Sequence, residues 1–564
     1  MEPLIHSKSE LPVGDYDVHI VNEPITTPDG VTYPSKARIV FRNIKNKNTN
    51  TVEYAYREFN ELLADIDKGE LKLNHCYIKN FSLAEYRAVR QFPNNHPVPI
   101  KICNARESFF DCDQCIDFSF AEFSGPKVTF EQSVFGNGTV NFTGSRFAKS
   151  NVVFRRARFG GGILDFRFLE FAEGNVSFRY ANFGEGNVFF VNSNFGNCNV
   201  DFQYATFGNG NVDFNYAKFG AGDLLFEKAV FGEGKKNFKA VEFGNGKVEF
   251  KRIQFNNGDI SFEGAEKGVG KISFWLSSFG KGNISFDLTD FSKADVSFEK
   301  VEFGGGKVKF HEARADNISF ALAQLNAYFE FKFSTCNVLD LHGAVVRDVI
   351  DFLPDRHPVE IRTMNFAGLK KLGRIIIDWR NNNALKMIYS QTETSLFQKA
   401  DQFRMLKEEF NTDGKYDYED NAYVEFKRCE SKALLEHEFK TSKMKGYLYY
   451  PSYAFQWLIF DKMGRYATSP ARVMTSVIVV YSLYSFLYYL LPILFDTSLI
   501  SSFNMPDSHT LPVCFYYSAV TFFTIGYGDY YPVGVLRLLA TLEGFSGVFL
   551  MSYFVVAFVR KILR

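Results

Sequence analysis

Phenylalanine recurs every twelve residues through the middle of the chain, and this period constrains the fold more than any other feature. One series runs without a gap from Phe123 to Phe255, and a second series, offset by seven residues, runs from Phe130 to Phe310. Val, Ile or Leu stands two residues before most members of the second series. Apolar positions two apart, separated by Gly-rich breaks, are typical of short strands joined by corners in a β-solenoid.

The repeat alternates five-residue and seven-residue pieces, which indicates four sides and 24 residues in each coil. It resembles the pentapeptide-repeat family, whose A-x-[LF]-x-x units form the sides of a right-handed quadrilateral β-helix. Ala205-Thr-Phe207 and Ala217-Lys-Phe219 fit that unit. On this basis residues 119–310 make about eight coils. A flat, two-sided coil of twelve residues stays open as the alternative.

Charge is balanced both in the whole chain and along the repeat. The 564 residues contain 64 Lys+Arg and 64 Asp+Glu, and residues 121–320 contain 24 and 23 of each sign. Some pentapeptide-repeat proteins act as mimics of DNA, and that role requires a strongly acidic surface. The sequence therefore excludes DNA mimicry and predicts no nucleic-acid partner.

Two long apolar runs near the C-terminus predict membrane-spanning helices. The first, residues 473–495, has no charged side chain and is long enough to cross about 30 Å of hydrocarbon. The second, residues 535–559, ends in the basic sequence Arg-Lys-Ile-Leu-Arg. Lys462, Arg465 and Arg472 precede the first run, so the positive-inside rule places both ends of the pair in the cytoplasm. We expect an integral protein of the plasma membrane with cytoplasmic N- and C-termini.

The segment between the two spans contains Thr521-Phe-Phe-Thr524-Ile-Gly-Tyr-Gly-Asp529. This resembles the signature of two-transmembrane potassium channels, with Ile525 in place of the commoner Val. The resemblance implies an ion-binding selectivity filter formed by Thr524, Ile525, Gly526, Tyr527 and Gly528. Backbone carbonyls of the first four residues, with the Thr524 hydroxyl, would replace the hydration shell of K⁺. Four copies are needed to surround the ion, so the resemblance also implies a homotetramer.

The resemblance also implies a shell of residues that support the filter. Tyr517 occupies the place of a Trp in many family members, and its hydroxyl is expected to donate to Asp529. Thr521 belongs to the same support. Glu543, an ionisable residue within the second span, is expected to pack behind the filter with a partner from the pore helix.

In the second span, Gly547 aligns with the hinge glycine of the family. The alternative is that a small residue at this position lets two membrane helices approach closely. Met551, Val555 and Val559 follow Gly547 at i+4 spacing on one helical face. They are predicted to line the pore, with an apolar gate near its inner end.

The chain is predicted to contain four regions in this order: a small α/β cap at 1–70, the solenoid at 71–355, a helical linker at 356–452, and a membrane pore domain at 453–564. Within the last, the predicted elements are an interfacial helix at 453–466, an outer helix at 473–495, a pore helix at 512–523, the filter at 524–529 and an inner helix at 535–559.

The sequence as a whole favours a potassium-selective channel whose inner helices are gated through the solenoid and linker. No span carries an Arg at every third position, so a voltage sensor is not predicted. The alternative is a membrane-anchored scaffold whose solenoid binds a protein partner. An enzyme is not predicted, because no nucleophile–base pair or metal cluster stands at an informative spacing. Expected partners are further copies of the chain, the lipid bilayer and a cytosolic ligand or protein regulator, and no cofactor is expected besides the permeant K⁺.

Overall fold

The computed structural model describes residues 15–42, 49–112, 114–502 and 510–563. Part of the predicted cap at 1–70 therefore lies outside the described residues. The chain forms two compact units, Met1–Thr392 and Glu393–Arg564, and each is described by itself.

The first unit is a parallel β-solenoid with four faces. Along most of its length each residue pairs with the residue 24 positions later, as Val140 does with Leu164 and Phe147 with Phe171. The longest of its sheets contains thirteen strands, which corresponds to about thirteen coils. The four-sided coil of 24 residues is thus confirmed, and the alternative coil of twelve residues is wrong.

The strands of the solenoid are short, and each face stacks one strand from successive coils. The first face, continued from the N-terminal strands, contains Tyr16–Val21, Lys36–Arg42, Thr49–Arg57, Cys76–Lys79, Phe109–Asp111, Val134–Phe135, Arg158–Phe159, Thr206–Phe207, Val230–Phe231, Gln254–Phe255, Ser278–Phe279, Glu302–Phe303, Gln324–Leu325, Val345–Val346 and Lys370–Lys371. The second contains Cys115–Asp117, Thr139–Asn141, Leu164–Asp165, Val188–Phe189, Val212–Asp213, Lys236–Asn237, Ile260–Ser261, Ile284–Ser285, Lys307–Lys309, Tyr328–Glu330, Val349–Asp351 and Arg374–Ile376. The third contains Val98–Ile100, Ala121–Phe123, Arg146–Lys149 and Glu170–Glu173. The fourth contains Glu70–Lys72, Ile102–Asn104, Lys127–Thr129, Asn151–Val153, Asn175–Ser177, Asn199–Asp201, Leu224–Leu225, Val248–Glu249, Gly270–Ser273, Asp290–Ser297, Arg314–Ser319, Thr335–Asp340 and Ile361–Asn365. A hairpin of Ile25–Thr26 and Thr32–Tyr33 and the helices α1 (Phe59–Lys68), α2 (Leu83–Val89) and α3 (Ala384–Tyr389) complete the unit.

Stacked phenylalanine rings fill the interior of the solenoid. Phe202 lies 4.9 Å from Phe178 and 4.7 Å from Phe226 between ring centroids, with the three rings nearly parallel. The same ring meets Phe190 of the facing ladder edge to face, at 5.7 Å. Such aromatic pairs contribute about 0.5–1.5 kcal/mol each beyond the burial of their area. The ladders therefore explain both the abundance of Phe and the constant length of the coil.

The last strands of the solenoid extend beyond the predicted end at residue 355. Ile361–Asn365 and Arg374–Ile376 still pair in parallel with the preceding coil. Aliphatic side chains such as Met364 and Ile375 fill the interior there instead of Phe. Because the prediction followed the Phe period, it could not detect a coil built without that residue.

A lysine interrupts the apolar interior on the second face. Lys236 takes the place that Val212 and Ile260 occupy in the neighbouring coils, and it is only 2% exposed. Its ammonium group donates to the backbone carbonyls of Asn256 and Asn257. Burial lowers the pKa of Lys236 to about 8, because the charged form loses its hydration.

We predict that Lys236→Val stabilises the solenoid at neutral pH and flattens the pH dependence of its stability. Between pH 8 and 10.5 the unfolded chain binds more protons at this position than the folded one, so native stability rises with pH there and is lowest below pH 8. Removing the buried charge should add roughly 1–3 kcal/mol at pH 7. Thermal unfolding from pH 7 to 10 measures both effects. The exposed Lys239→Val serves as the control, and an unchanged rise in the Lys236 variant would contradict the assignment.

The second unit is mainly helical. Its helices are α4 (Leu396–Thr412), α5 (Tyr416–Thr441), α6 (Lys443–Phe455), a π-helix (Gln456–Lys462), α7 (Pro470–Leu494), α8 (Leu511–Phe522) and α9 (Leu536–Ile562), and a two-stranded sheet joins Leu499–Ser501 to Tyr530–Pro532. Helices α4 and α5 form an antiparallel pair, and α4 begins with a capping box between Ser395 and Gln398. Helices α7 and α9 are long and apolar enough to cross a membrane, with mean hydropathies of 1.9 and 1.8.

The segment predicted as one interfacial helix at 453–466 is built differently. Helix α6 and the π-helix together cover 443–462, and the chain then turns through three residues with left-handed backbone angles, Arg465, Tyr466 and Ala467. Its physical reason is packing, because Gly464 lies against the ring of Tyr553 from α9 so closely that a Cβ would stand 2.4 Å from it. Sequence periodicity alone contains no signal for such a contact.

Candidate functional site

The segment Thr524–Asp529 leaves the end of α8 by a sharp reversal of the chain. The amide of Thr524 donates to the carbonyl of Thr521 at 3.1 Å, and the amide of Ile525 donates to the carbonyl of Val520 at 2.9 Å. These bonds satisfy the last carbonyls of the helix, which would otherwise lack partners. The segment is thereby anchored to the helix from its first residue.

The backbone of this segment alternates in handedness. Thr524, Gly526 and Gly528 have φ angles of 57°, 65° and 76°, whereas Ile525 and Tyr527 do not enter the positive region. Such alternation aligns successive peptide groups on one side of the chain. Glycine supplies the left-handed angle without steric cost at two of the three positions, but the β-branched Thr524 adopts it against its preference.

Four successive carbonyl oxygens of the segment are free to accept. Within the described part of the chain, no donor is bonded to the carbonyls of residues 524–527. The carbonyl of Gly528 differs, because the Ser502 hydroxyl donates to it at 2.7 Å. The Ser502 amide also donates to the carbonyl of Asp529 at 2.8 Å. Of the five residues predicted to bind an ion, the first four thus have free carbonyls, and Gly528 belongs to the anchoring of the segment.

The tyrosine that contacts Asp529 is Tyr516, and the prediction of Tyr517 is wrong. The Tyr516 hydroxyl donates to the Asp529 carboxylate at 2.7 Å. Tyr517 is buried and meets the ring of Tyr488 on α7 edge to face, at 4.9 Å. Neighbouring positions of a helix point about 100° apart, so only one of the two tyrosines can face the end of the filter segment.

The expected partner of Glu543 is confirmed. Ser518 of α8 donates its hydroxyl to the Glu543 carboxylate of α9, and both side chains are fully buried. The contact connects the helix that precedes the filter segment to the second long apolar helix. It therefore fixes the distance between these two helices behind the segment.

Gly547 lies where α9 crosses the end of α8. A Cβ at this position would stand 1.9 Å from the backbone carbonyl oxygen of Phe522, whereas a Cβ at Gly544 would meet nothing within 4 Å. Helix α9 continues unbroken through both positions. The geometry thus gives Gly547 a packing role, and its role as a hinge stays a prediction. Met551, Val555 and Val559 follow on the same helix, in the last turns before its basic end.

We predict that Gly547→Ala disrupts the pore unit and that Gly544→Ala does not. The added methyl group forces α9 away from α8, which should cost about 1–3 kcal/mol or more of stability. Thermal unfolding of the full chain, followed with a thiol-reactive fluorophore, reports this loss because Cys514 of α8 is fully buried. Equal melting temperatures of the two variants would contradict the close contact.

A cluster of charges joins the end of α9 to the beginning of α5. Arg560 lies 3.0 Å from the carboxylate of Asp420 and 3.7 Å from that of Glu419. Lys561 lies 2.8 Å from Asp417 and 3.6 Å from Asp420. We call these five residues the clasp. The side chains of Glu419 and Asp420 are only 5% and 10% exposed, so solvent screens their ion pairs less than those of an open surface.

Further contacts fasten the π-helix to the same two helices. Arg428 of α5 donates to the carboxylate of Asp461 at 2.7 Å. Although burial disfavours its charged form, the carboxylates of Asp461 and Glu425 hold the pKa of Arg428 above its usual value. The Tyr553 hydroxyl of α9 accepts from the amide of Ala467 at 2.9 Å. The chain before α7 is thus bound to both α5 and α9.

Sequence reasoning missed the clasp, Ser502 and Tyr516. The acidic start of α5, Tyr-Asp-Tyr-Glu-Asp, and the basic end of α9 are both visible in the sequence, but the basic end by itself indicates only the orientation of the span. Nothing in one sequence indicates that segments about 140 residues apart pair with each other.

Comparison with known proteins identifies the C-terminal region. Residues 476–564 match the family model described as ion channel, and this region includes α7, α8, the filter segment and α9. The resemblance of the C-terminal segment to ion channels is therefore confirmed. Neither the curated proteins nor the solved structures gave a significant match.

Proposed function

We propose that this protein is a homotetrameric, potassium-selective channel of the plasma membrane, with its solenoid and both termini in the cytoplasm. The observation that carries the proposal is the set of four free, aligned carbonyls at residues 524–527, inside a region that matches the ion-channel family. Rings of backbone carbonyls can replace the hydration shell of K⁺ at low cost. In the proposed tetramer, residues 524–527 of four chains form these rings.

Exposure in the single chain supports assembly. Ile525 and Tyr527, the two large side chains of the segment, are 50% and 70% exposed. Large apolar side chains on both sides of a strained backbone need neighbours to cover them, and further copies of the chain supply such neighbours. The bonds from Tyr516 to Asp529 and from Ser502 to Gly528 then hold the outer end of each segment in place.

The orientation follows from basic residues. Arg465 and Arg472 precede α7, and Arg560 and Lys561 end α9, so positive charge collects at one end of the helix pair. Under the positive-inside rule this end faces the cytoplasm. The solenoid and the linker helices precede α7 in the chain and are therefore placed on the same side.

The experiment that tests the proposal measures ion flux. The purified full-length chain in liposomes should carry K⁺ and leave Na⁺ flux at background. Gly526→Ala should abolish K⁺ flux, because alanine at a φ of 65° costs about 1–2 kcal/mol and tilts the adjacent carbonyls. Gly544→Ala is the matched control and should conduct. Equal K⁺ and Na⁺ fluxes would contradict selectivity, and an assembled but non-conducting protein would favour the membrane-anchored scaffold.

Gating is proposed to act through the clasp. Helix α5 belongs to the linker between the solenoid and the membrane helices, and its acidic start holds the basic end of α9. A displacement of the linker is then transmitted to the end of α9, near Val555 and Val559. The interaction of several charges, two of them largely buried, provides the strength that an isolated surface pair lacks.

We predict that Arg560→Asp and Asp420→Arg each change the open probability, and that the double variant restores it. Each single change places two like charges together, whereas the double change recreates an opposite pair. In single-channel recordings the coupling between the two substitutions should reach about fivefold. Arg472→Asp, which alters a basic residue at the start of α7, is the control and should show no coupling to Asp420→Arg. Additive effects of the Arg560 and Asp420 variants would contradict transmission through the clasp.

A further inference from the structure

One corner of the solenoid carries a ridge of basic and aromatic side chains. The corner follows the buried Phe of the fourth face, and the second residue after that Phe has a left-handed φ in most coils. The ridge consists of Arg155, Arg156, Arg179, Tyr180, Tyr204, Lys228, Lys251, Arg252 and Trp275. Because equivalent positions of successive coils stack, these side chains lie one above another although they are far apart in the sequence.

Over much of the ridge the aromatic faces are already occupied. Tyr180 and Tyr204 stack at 4.7 Å, and the guanidinium of Arg179 lies within 5.6 Å of both rings. The ammonium of Lys228 lies 4.9 Å from the ring of Tyr204 and donates to its hydroxyl at 3.1 Å. Here the ridge satisfies its own cations by cation–π contacts.

At the other end, beside Trp275, the ridge borders a cavity of ≈ 440 Å³. Lys251, Arg252 and Lys271 line it together with Glu227 and Glu299. Small-molecule sites typically have volumes of about 300–1,000 Å³ and combine an apolar surface with a few convergent polar groups. The guanidinium of Arg252 lies 5.0 Å from the Trp275 ring centroid, which creates a flat cationic and aromatic surface on one side.

The charges of the cavity leave an excess of positive groups. The buried carboxylate of Glu249, next to Lys251 in the same coil, receives both Lys247 and Lys251 at 2.5 Å. Although burial disfavours its charged form, these two lysines hold the pKa of Glu249 below its usual value. Lys271 has no ion pair within 4 Å among the residues that the structure describes. Two ammonium groups share one carboxylate, and a third cation stands beside them without one.

We infer that this cavity binds a nucleoside monophosphate. A flat base stacks on the surface formed by Arg252 and Trp275, and the phosphate meets the ammonium groups of Lys251 and Lys271. The carboxylates of Glu227 and Glu299 accept hydrogen bonds from hydroxyl or amino groups of the nucleoside. Three basic and two acidic side chains line the site, so its net charge suits one phosphate group better than a chain of several.

The inference is independent of ion conduction, since it concerns binding to the solenoid. Isothermal titration calorimetry of the full-length protein with adenosine monophosphate tests it, with adenosine and inorganic phosphate as separate probes. One molecule should bind to each chain, more tightly than either probe. Trp275→Ala and Lys271→Ala should each weaken binding by about tenfold, as expected for loss of one stacking or one charged contact.

Lys239→Ala is the control, because Lys239 lies on the corner that follows the second face and pairs with Glu263 at 2.9 Å. It should leave binding unchanged, and thermal unfolding verifies that each variant is folded. Should Trp275→Ala fail to fold, Trp275→Phe replaces it and should lose less than Trp275→Ala was expected to lose while keeping the preference for the nucleotide over phosphate. Absence of binding, equal binding in all variants, or equal affinity for inorganic phosphate would overturn the inference. So would tighter binding of a single-stranded oligonucleotide that depends on Arg179 and Tyr204.

Discussion

The stacking of aromatic rings from one coil to the next is the interaction on which the larger unit of this protein depends. A ring such as Phe202 has a parallel neighbour above and below, so any change in coil length would move every later ring out of its stack. The coil therefore keeps 24 residues over most of the solenoid, and surface positions at each corner also come into register. The ridge that ends at Trp275 is a consequence of this constraint, because it gathers side chains from several coils along one line.

The membrane unit follows a different constraint, since residues 524–527 must keep their carbonyls available while the rest of the segment is held. The structure meets it by placing all donors at the two ends. Val520 and Thr521 accept from the beginning of the segment, and Ser502 and Tyr516 bond to Gly528 and Asp529 at its end. The contact between Ser518 and Glu543 fixes the helices behind it. Rigidity of the surroundings thus compensates for a backbone that has no partners of its own.

Much of this architecture could be predicted from the sequence, because periodic residues report their own geometry. The Phe period predicted a four-sided solenoid, and the TIGYGD motif identified the ion-channel segment. Where the interior changes from Phe to residues such as Met364, the prediction ended too early. The choice of Tyr517 over Tyr516 failed because a motif gives order along the chain but not the phase of a helix. The clasp was not predicted, since Asp420 and Arg560 are distant in sequence and each is an ordinary charged residue at a helix end.

The most direct measurement of the central claim is the density of bound ions in the assembled protein, determined once in K⁺ and once in Na⁺. If residues 524–527 form a potassium filter, four copies of the segment surround a common axis, and ordered ions lie between their carbonyl rings in K⁺. In Na⁺ alone those densities should be weaker or displaced. Segments that do not converge on an axis, or identical densities in the two salts, would contradict the account.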